Sequence, residues 1–157
     1  MPNWPRNGLI ATLGKEVIPW LEKTAPKTAE IEQRLAQDPR AHWFTVVFDR
    51  EGYSPEFFAQ LFEKRIAVLT YHKFPKEDWP VEQFTAHRVQ LAGGQAVTLK
   101  LSERGTQLSN QFWVREIRKL TASGHQTALV DHQLSGLDRG AGCVALCPMV
   151  AGKFLSL

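Results

Sequence analysis

Residues Trp43 to Tyr71, WFTVVFDREGYSPEFFAQLFEKRIAVLTY, decide the fold. The stretch opens on an apolar, β-branched run, Phe44-Thr45-Val46-Val47-Phe48, with the acid Asp49 where the run ends. Gly52 and Pro55 then break the chain. Phe57, Phe58, Leu61 and Phe62 follow at the i, i+1, i+4, i+5 spacing of one helical face. Ser54 suits an N-cap and Pro55 the first helical position. Ile66 to Tyr71 is a second strand of the buried type. Strand, helix, strand reads as a βαβ unit, which predicts parallel strands and a right-handed crossover. Ligands of open α/β sheets gather at the carboxyl ends of strands, and Asp49 is placed there.

Working outward, Ala29 to Gln37 is a short helix with Ile31 and Leu35 four apart, and Pro39 closes it. Leu9 to Leu21 is helix-like but interrupted by Gly14 and Pro19, and residues 1–8 read as irregular. Downstream, residues 72–84, HKFPKEDWPVEQF, form a loop with prolines at 75 and 80. Its Lys73, Lys76, Phe74 and Trp79 could touch a nucleic-acid backbone and bases. A surface loop pinned by two aromatics is the commoner explanation. Ala86 to Leu91, a Gly93-Gly94 turn and Ala96 to Leu101 read as a hairpin. Gln111 to Thr121 alternates as a strand, with Phe112, Val114, Glu116, Arg118 and Leu120 on one side. Gln126 to Val130 closes the series. Residues 86–130 thus predict an antiparallel β element attached to an α/β core. Three segments result: an N-terminal helical part at 1–42, the core with its β insertion at 43–130, and a tail at 131–157.

At 157 residues the chain fits about one domain. Its net charge of +3 is mildly basic, compatible with nucleic acid without requiring it. Cys143 and Cys147 are too few for a disulfide framework or a cysteine zinc site, so we expect a cytoplasmic protein. No apolar stretch approaches the roughly 20 residues of a membrane span. The five histidines have no metal-ligand spacing, and most read as surface or loop residues. Ser54 lies in Gly-Tyr-Ser-Pro rather than a nucleophile elbow, which excludes a hydrolase of that type. Asp49, beside a glycine turn, is where a Mg²⁺ or Mn²⁺ ligand would sit. A cap closing the turn before the helix is the plainer alternative. Arg115, Arg118 and Lys119 could form a basic strand face, although solvated charge on an edge strand is commoner.

The stretch FTVVFDREGYSPEFF (Phe44 to Phe58) resembles the second-aspartate segment of DDE transposases encoded by bacterial insertion sequences. Ile66 to Lys73, Asp78-Trp79-Pro80 and Gln126 to Val130 extend the likeness to roughly residues 10–130. The resemblance implies a partial RNase H-like core. It also implies three carboxylates holding two Mg²⁺ or Mn²⁺ ions for in-line attack on a DNA phosphodiester. Asp49 matches the second aspartate, and the β element resembles the strand-rich insertion some of these enzymes carry. DNA is the implied partner, with Arg50, Lys73, Lys76, Trp79, Arg115 and Lys119 as candidate contacts. Nothing before Asp49 resembles the first catalytic strand, and the glutamate helix, with its ARWSQENFF-like run, is also missing. We therefore expect a truncated, inactive chain that binds no ion tightly and self-associates through exposed apolar surface. A DNA-binding or regulatory remnant and a partner-binding α/β domain are the alternatives.

The tail offers a reason for the missing glutamate. Residues 131–157 hold four of the eleven glycines, both cysteines and no clean period. Shifted by one nucleotide, permitted codons read ITNYRGLIGAQVASLFARWSQENFFRY, with the glutamate codon straddling Gly152 and Lys153. A frameshift near Val130 predicts that the gene's shifted frame reads through ARWSQENFF and stays open past the stop. Sequencing the DNA from codon 125 onward checks this; a closed or unrelated frame contradicts it.

Overall fold

The structure, a computed structural model, describes residues 6–73 and 75–133. The decisive stretch forms the expected unit: β1 (Phe44–Val47), α4 (Pro55–Glu63) and β2 (Ile66–Tyr71). Before it come α1 (Arg6–Thr12), α2 (Ile18–Thr24) and α3 (Ala29–Gln37). After it come β3 (Thr85–Gln90), β4 (Ala96–Gln107), β5 (Trp113–Leu120) and β6 (Gln126–Gln133).

Local chemistry sets these boundaries. The Ser54 hydroxyl accepts from Phe57 N at 3.3 Å and Pro55 opens α4, so the helix starts where its orphan amides are satisfied. Its apolar face buries Phe57, Phe58, Leu61 and Phe62. Thr28 caps α3 in the same way, accepting from Ile31 N. Arg65 then fastens the α3 segment to the core, donating from Nε to Ala41 O at 2.9 Å and from Nη2 to Asp38 O at 2.6 Å.

β1 and β2 are parallel, pairing Phe44 with Ile66 through Val47 with Leu69. The six strands form one sheet in the order β1-β2-β6-β5-β4-β3. β2 is buried along its whole length, as expected of a strand covered on both faces. Its alternate residues feed two cores. Val68 joins Ile18, Phe58, Leu61, Val114 and Val130 on the side α4 covers. Leu69 and Tyr71 join Val89, Leu101, Ile117 and Leu129 on the other, where the curled sheet folds toward itself.

The expected antiparallel element is present and joins the core edge to edge, because β6 pairs with β2 antiparallel, Thr70 with Val130 and Tyr71 with Leu129. The α/β unit and the antiparallel strands share one sheet. Two expectations are corrected. β5 lies between β4 and β6 rather than at an edge, so its charges are largely buried instead of solvated. Helix also begins at Arg6, inside the segment read as irregular, and runs to Thr24 through a π-helical turn at Leu13–Val17. The wider turn accommodates Pro19, which lacks the amide an α-helix would use. In addition, β4 runs to Gln107, beyond the alternation visible at Leu101. β6 runs to Gln133, past Val130, where an irregular tail was expected. The proposed frameshift and both cysteines otherwise lie outside the described residues. No described helix is long and apolar enough to cross a membrane.

Phe58 is fully buried between α4 and the sheet, against Phe48 and Tyr53. Phe58→Ala should cost about 3–5 kcal/mol. Urea denaturation measures this, and a loss below about 1 kcal/mol would contradict the packing.

Candidate functional site

Asp49 stands at the carboxyl end of β1, exposed to solvent. Its Oδ1 accepts from Arg50 N at 3.1 Å and caps a 3₁₀ turn at Arg50–Gly52. The capping geometry read from the sequence is therefore present. The turn is tight, because a Cβ on Gly52 would stand 3.0 Å from Phe48 Cδ1. Arg50 reaches across to the adjacent strand end, its guanidinium 5.1 Å from the Tyr71 ring centroid. Asp49 and the last residues of β2 thus belong to one end of the parallel pair.

The residue after β2 carries the strongest polar constellation. His72 Nδ1 lies 2.9 Å from Glu116 Oε1, with the two side chains 7% and 2% exposed. Thr106 donates to Glu116 Oε2 at 2.6 Å. Arg118 donates from Nε to Glu116 Oε1 at 3.2 Å, and from Nη1 to Glu77 O and Gln126 Oε1. Burial opposes charge on Glu116. The hydrogen bonds from His72 and Thr106, with the charges of His72 and Arg118, outweigh it and hold the carboxyl below its ordinary value of 4.5. The ionised carboxylate can only accept, so His72 donates through Nδ1. The Tyr53 ring stacks on His72 at 5.9 Å between centroids and 24° between planes. Burial, then Glu116 and Glu56, push the Tyr53 phenol up to about 12, so it stays protonated.

These residues share the sheet face that α4 covers. His72 continues the alternation of Val68, and Glu116 that of Val114. Beyond the helix start, residues 75–84 strap the same face. Gln126 holds it by two hydrogen bonds to Trp79, accepting from its N at 2.9 Å and donating to its O at 2.7 Å. Between strap and helix start lies a cleft of about 710 Å³ lined by Glu51, Ser54, His72, Lys73, Lys76 and Thr106, among others. A second cleft, of about 870 Å³, shares Lys76, Thr106 and Gln107 and extends to Trp79, Arg104 and Trp113.

The residues singled out for nucleic acid are dispersed. Lys73 and Lys76 line the first cleft, and Arg50 is exposed beside it in sequence. Trp79 is only 7% exposed and supports two guanidiniums, those of Arg118 at 4.3 Å and Arg104 at 4.5 Å. Arg115 is held by Glu103 at 2.7 Å and Asp131 at 2.9 Å. Lys119 lines a different cleft with Lys100 and Val81. Sequence reasoning missed His72, Thr106 and Glu116. One signal was available: Glu116 and Arg118, opposite in charge and two apart, sit on the face that Phe112, Val114 and Leu120 mark as apolar.

Glu116→Gln keeps the shape but leaves Arg118 buried without its counter-charge, which should cost about 3–5 kcal/mol. The sign with pH follows from the lowered carboxyl. Its stabilisation is complete above about pH 4.5 and is lost as pH falls through the folded value. Urea melts across that range should show a steep acid loss in the wild type and a flatter one in Glu116→Gln. Superimposable profiles would contradict the assignment.

Comparison with curated proteins finds no match. A family model described as "Transposase protein" matches residues 4–138, spanning the helices, the whole sheet and all three clefts described above. On that match, the chain belongs to this transposase protein family.

Proposed function

We propose that the chain is part of a DDE-type transposase built on an RNase H-like core. In its intact form such an enzyme would cleave DNA and transfer strands with Mg²⁺ or Mn²⁺. The observation that carries the reading is the family match across residues 4–138. A parallel βαβ unit with Asp49 exposed at the end of β1 is consistent with it. In this reading Asp49 is one metal ligand and also caps its turn, using only one of its two oxygens for Arg50 N. DNA is the partner, approached by Arg50, Lys73 and Lys76.

The described residues do not fit a complete two-metal site. Among them, no group of three His, Cys, Asp or Glu side chains could hold an ion. Each ion needs several hard oxygen ligands, which one carboxylate does not supply. No catalytic step is assigned to this chain, which in this reading lacks the other two carboxylates of the family and is inactive by itself. Trp20, 61% exposed, and Val47, 45% exposed, are the surfaces through which it would self-associate.

Incubating the purified chain with supercoiled DNA and Mg²⁺ or Mn²⁺ should give no nicking. Robust nicking abolished by Asp49→Ala would overturn the inactive-chain reading, because all ligands would then lie within these 157 residues.

A further inference from the structure

The six-stranded sheet has β1 at one edge, with β2 on one side and, among the described residues, no strand on the other. The register with β2 fixes which backbone groups of β1 are in use. Parallel pairing of Val47 with Leu69, with Phe48 N donating to Leu69 O at 2.9 Å, turns the amides and carbonyls of Phe44 and Val46 toward β2. Those of Thr45 and Val47 therefore point away from the sheet. Both residues are exposed, Val47 to 45%. Native sheets blunt such an edge with charge, proline, a bulge or a covering element, because its free groups accept another strand. The opposite edge, β3, follows that rule with His87 and Arg88 in its middle. The β1 sequence, FTVV, holds neither charge nor proline.

The order of residues in β1 suits a second copy of itself. Two β1 strands related by a two-fold axis run antiparallel, and every contact across the axis is made twice. With the axis at Thr45, its N and O exchange hydrogen bonds with Thr45 of the second copy. Phe44 then stands opposite Val46, and Trp43 opposite Val47. Thr–Thr and aromatic–β-branched pairs are among the cross-strand pairs that stabilise antiparallel sheets. An axis one residue along, at Val46, would set Phe44 opposite Phe48, which is 5% exposed, packed against Gly52, and has no free face to offer. We propose that β1 docks a second copy of this chain, paired antiparallel about Thr45, so that two six-stranded sheets become one. The proposal rests on the self-association of the inactive-chain reading and narrows it to one ordered contact.

Sedimentation of the intact chain from about 1 to 200 µM tests this, because so short an edge makes a small, weak interface. The mean mass should climb from one chain toward two. Thr45→Lys sets two ammonium groups opposite each other across the axis and should weaken the dimer at least about tenfold. Val47→Lys, at an exposed position, should do the same and carries the test if Thr45→Lys melts the monomer. Ala86→Lys, exposed on β3, should change nothing. A hydrogen-bonded antiparallel pair holds its Cα atoms about 5.5 Å apart, within disulfide reach. Thr45→Cys, in a Cys143→Ser, Cys147→Ser background, should therefore cross-link with oxidised glutathione, and Ala86→Cys should not. A dimer that Thr45→Lys and Val47→Lys leave intact, or that Trp20→Ser alone dissolves, overturns the β1 contact and keeps the broader self-association. A dimer whose Thr45→Cys stays reduced overturns the pairing about Thr45. Equal weakening by Ala86→Lys overturns it as a general effect of charge. A chain that stays monomeric throughout overturns both the contact and the self-association, leaves the edge to a strand of another protein, and leaves the Asp49 reading to the nicking assay.

Discussion

Burying Glu116 and Arg118 inside a sheet is the constraint from which much of the architecture follows. Two charges removed from water destabilise a fold unless hydrogen bonds satisfy nearly every donor and acceptor. The partners here come from distant parts of the chain: His72 after β2, Thr106 on β4, Gln126 on β6 and Glu77 O in the strap. Satisfying the pair therefore fixes four segments together. The direct β2–β6 ladder is short, with two residue pairs in register and His72 N donating to Ala128 O just beyond. The ionic network reinforces the junction where the backbone pairing is briefest. It also provides a reason for the irregular pairing of β5 with β6 between Val114 and Glu116, since such irregularities re-aim side chains.

The candidate site borders the same junction. The parallel pair directs its carboxyl ends toward one side of the molecule, where Asp49, Arg50 and His72 emerge. The strap is held by Gln126 and Arg118 and places Lys76 where the two clefts adjoin. Rigid elements hold such groups more precisely than loops do, and here the strap is tied to the sheet by side chains at both Trp79 and Glu77.

Much of the core could be read in the sequence because its signals are local. Ser54-Pro55 announced α4, the apolar runs on either side announced β1 and β2, and Gly93-Gly94 announced the β3–β4 turn, where Gly94 adopts φ +83°. What could not be read depends on partners far along the chain. That β6 would pair with β2 is a non-local choice, since Gln126 to Val130 looks the same at any antiparallel position. Edge and interior were confused for β5 for this reason, and with them the state of Arg115 and Arg118. The helix from Arg6 to Thr24 was obscured by Gly14 and Pro19, because a π-helical turn leaves no periodic signature. His72 was unremarkable among five histidines until Glu116, 44 residues away, was placed beside it. Asp49 was legible as a position, and its cap followed from the turn chemistry around it.

The account depends on His72 and Glu116 acting as one unit across the junction of the two strand sets. A double-mutant cycle tests this most directly, with His72→Ala, Glu116→Ala and the double variant compared by urea denaturation above pH 6. Residues in one buried network should couple by about 1–3 kcal/mol, so the double variant should lose much less than the two single losses together. Losses that add to within about 0.5 kcal/mol would mean that the pair does not act as a unit and that something else holds the junction.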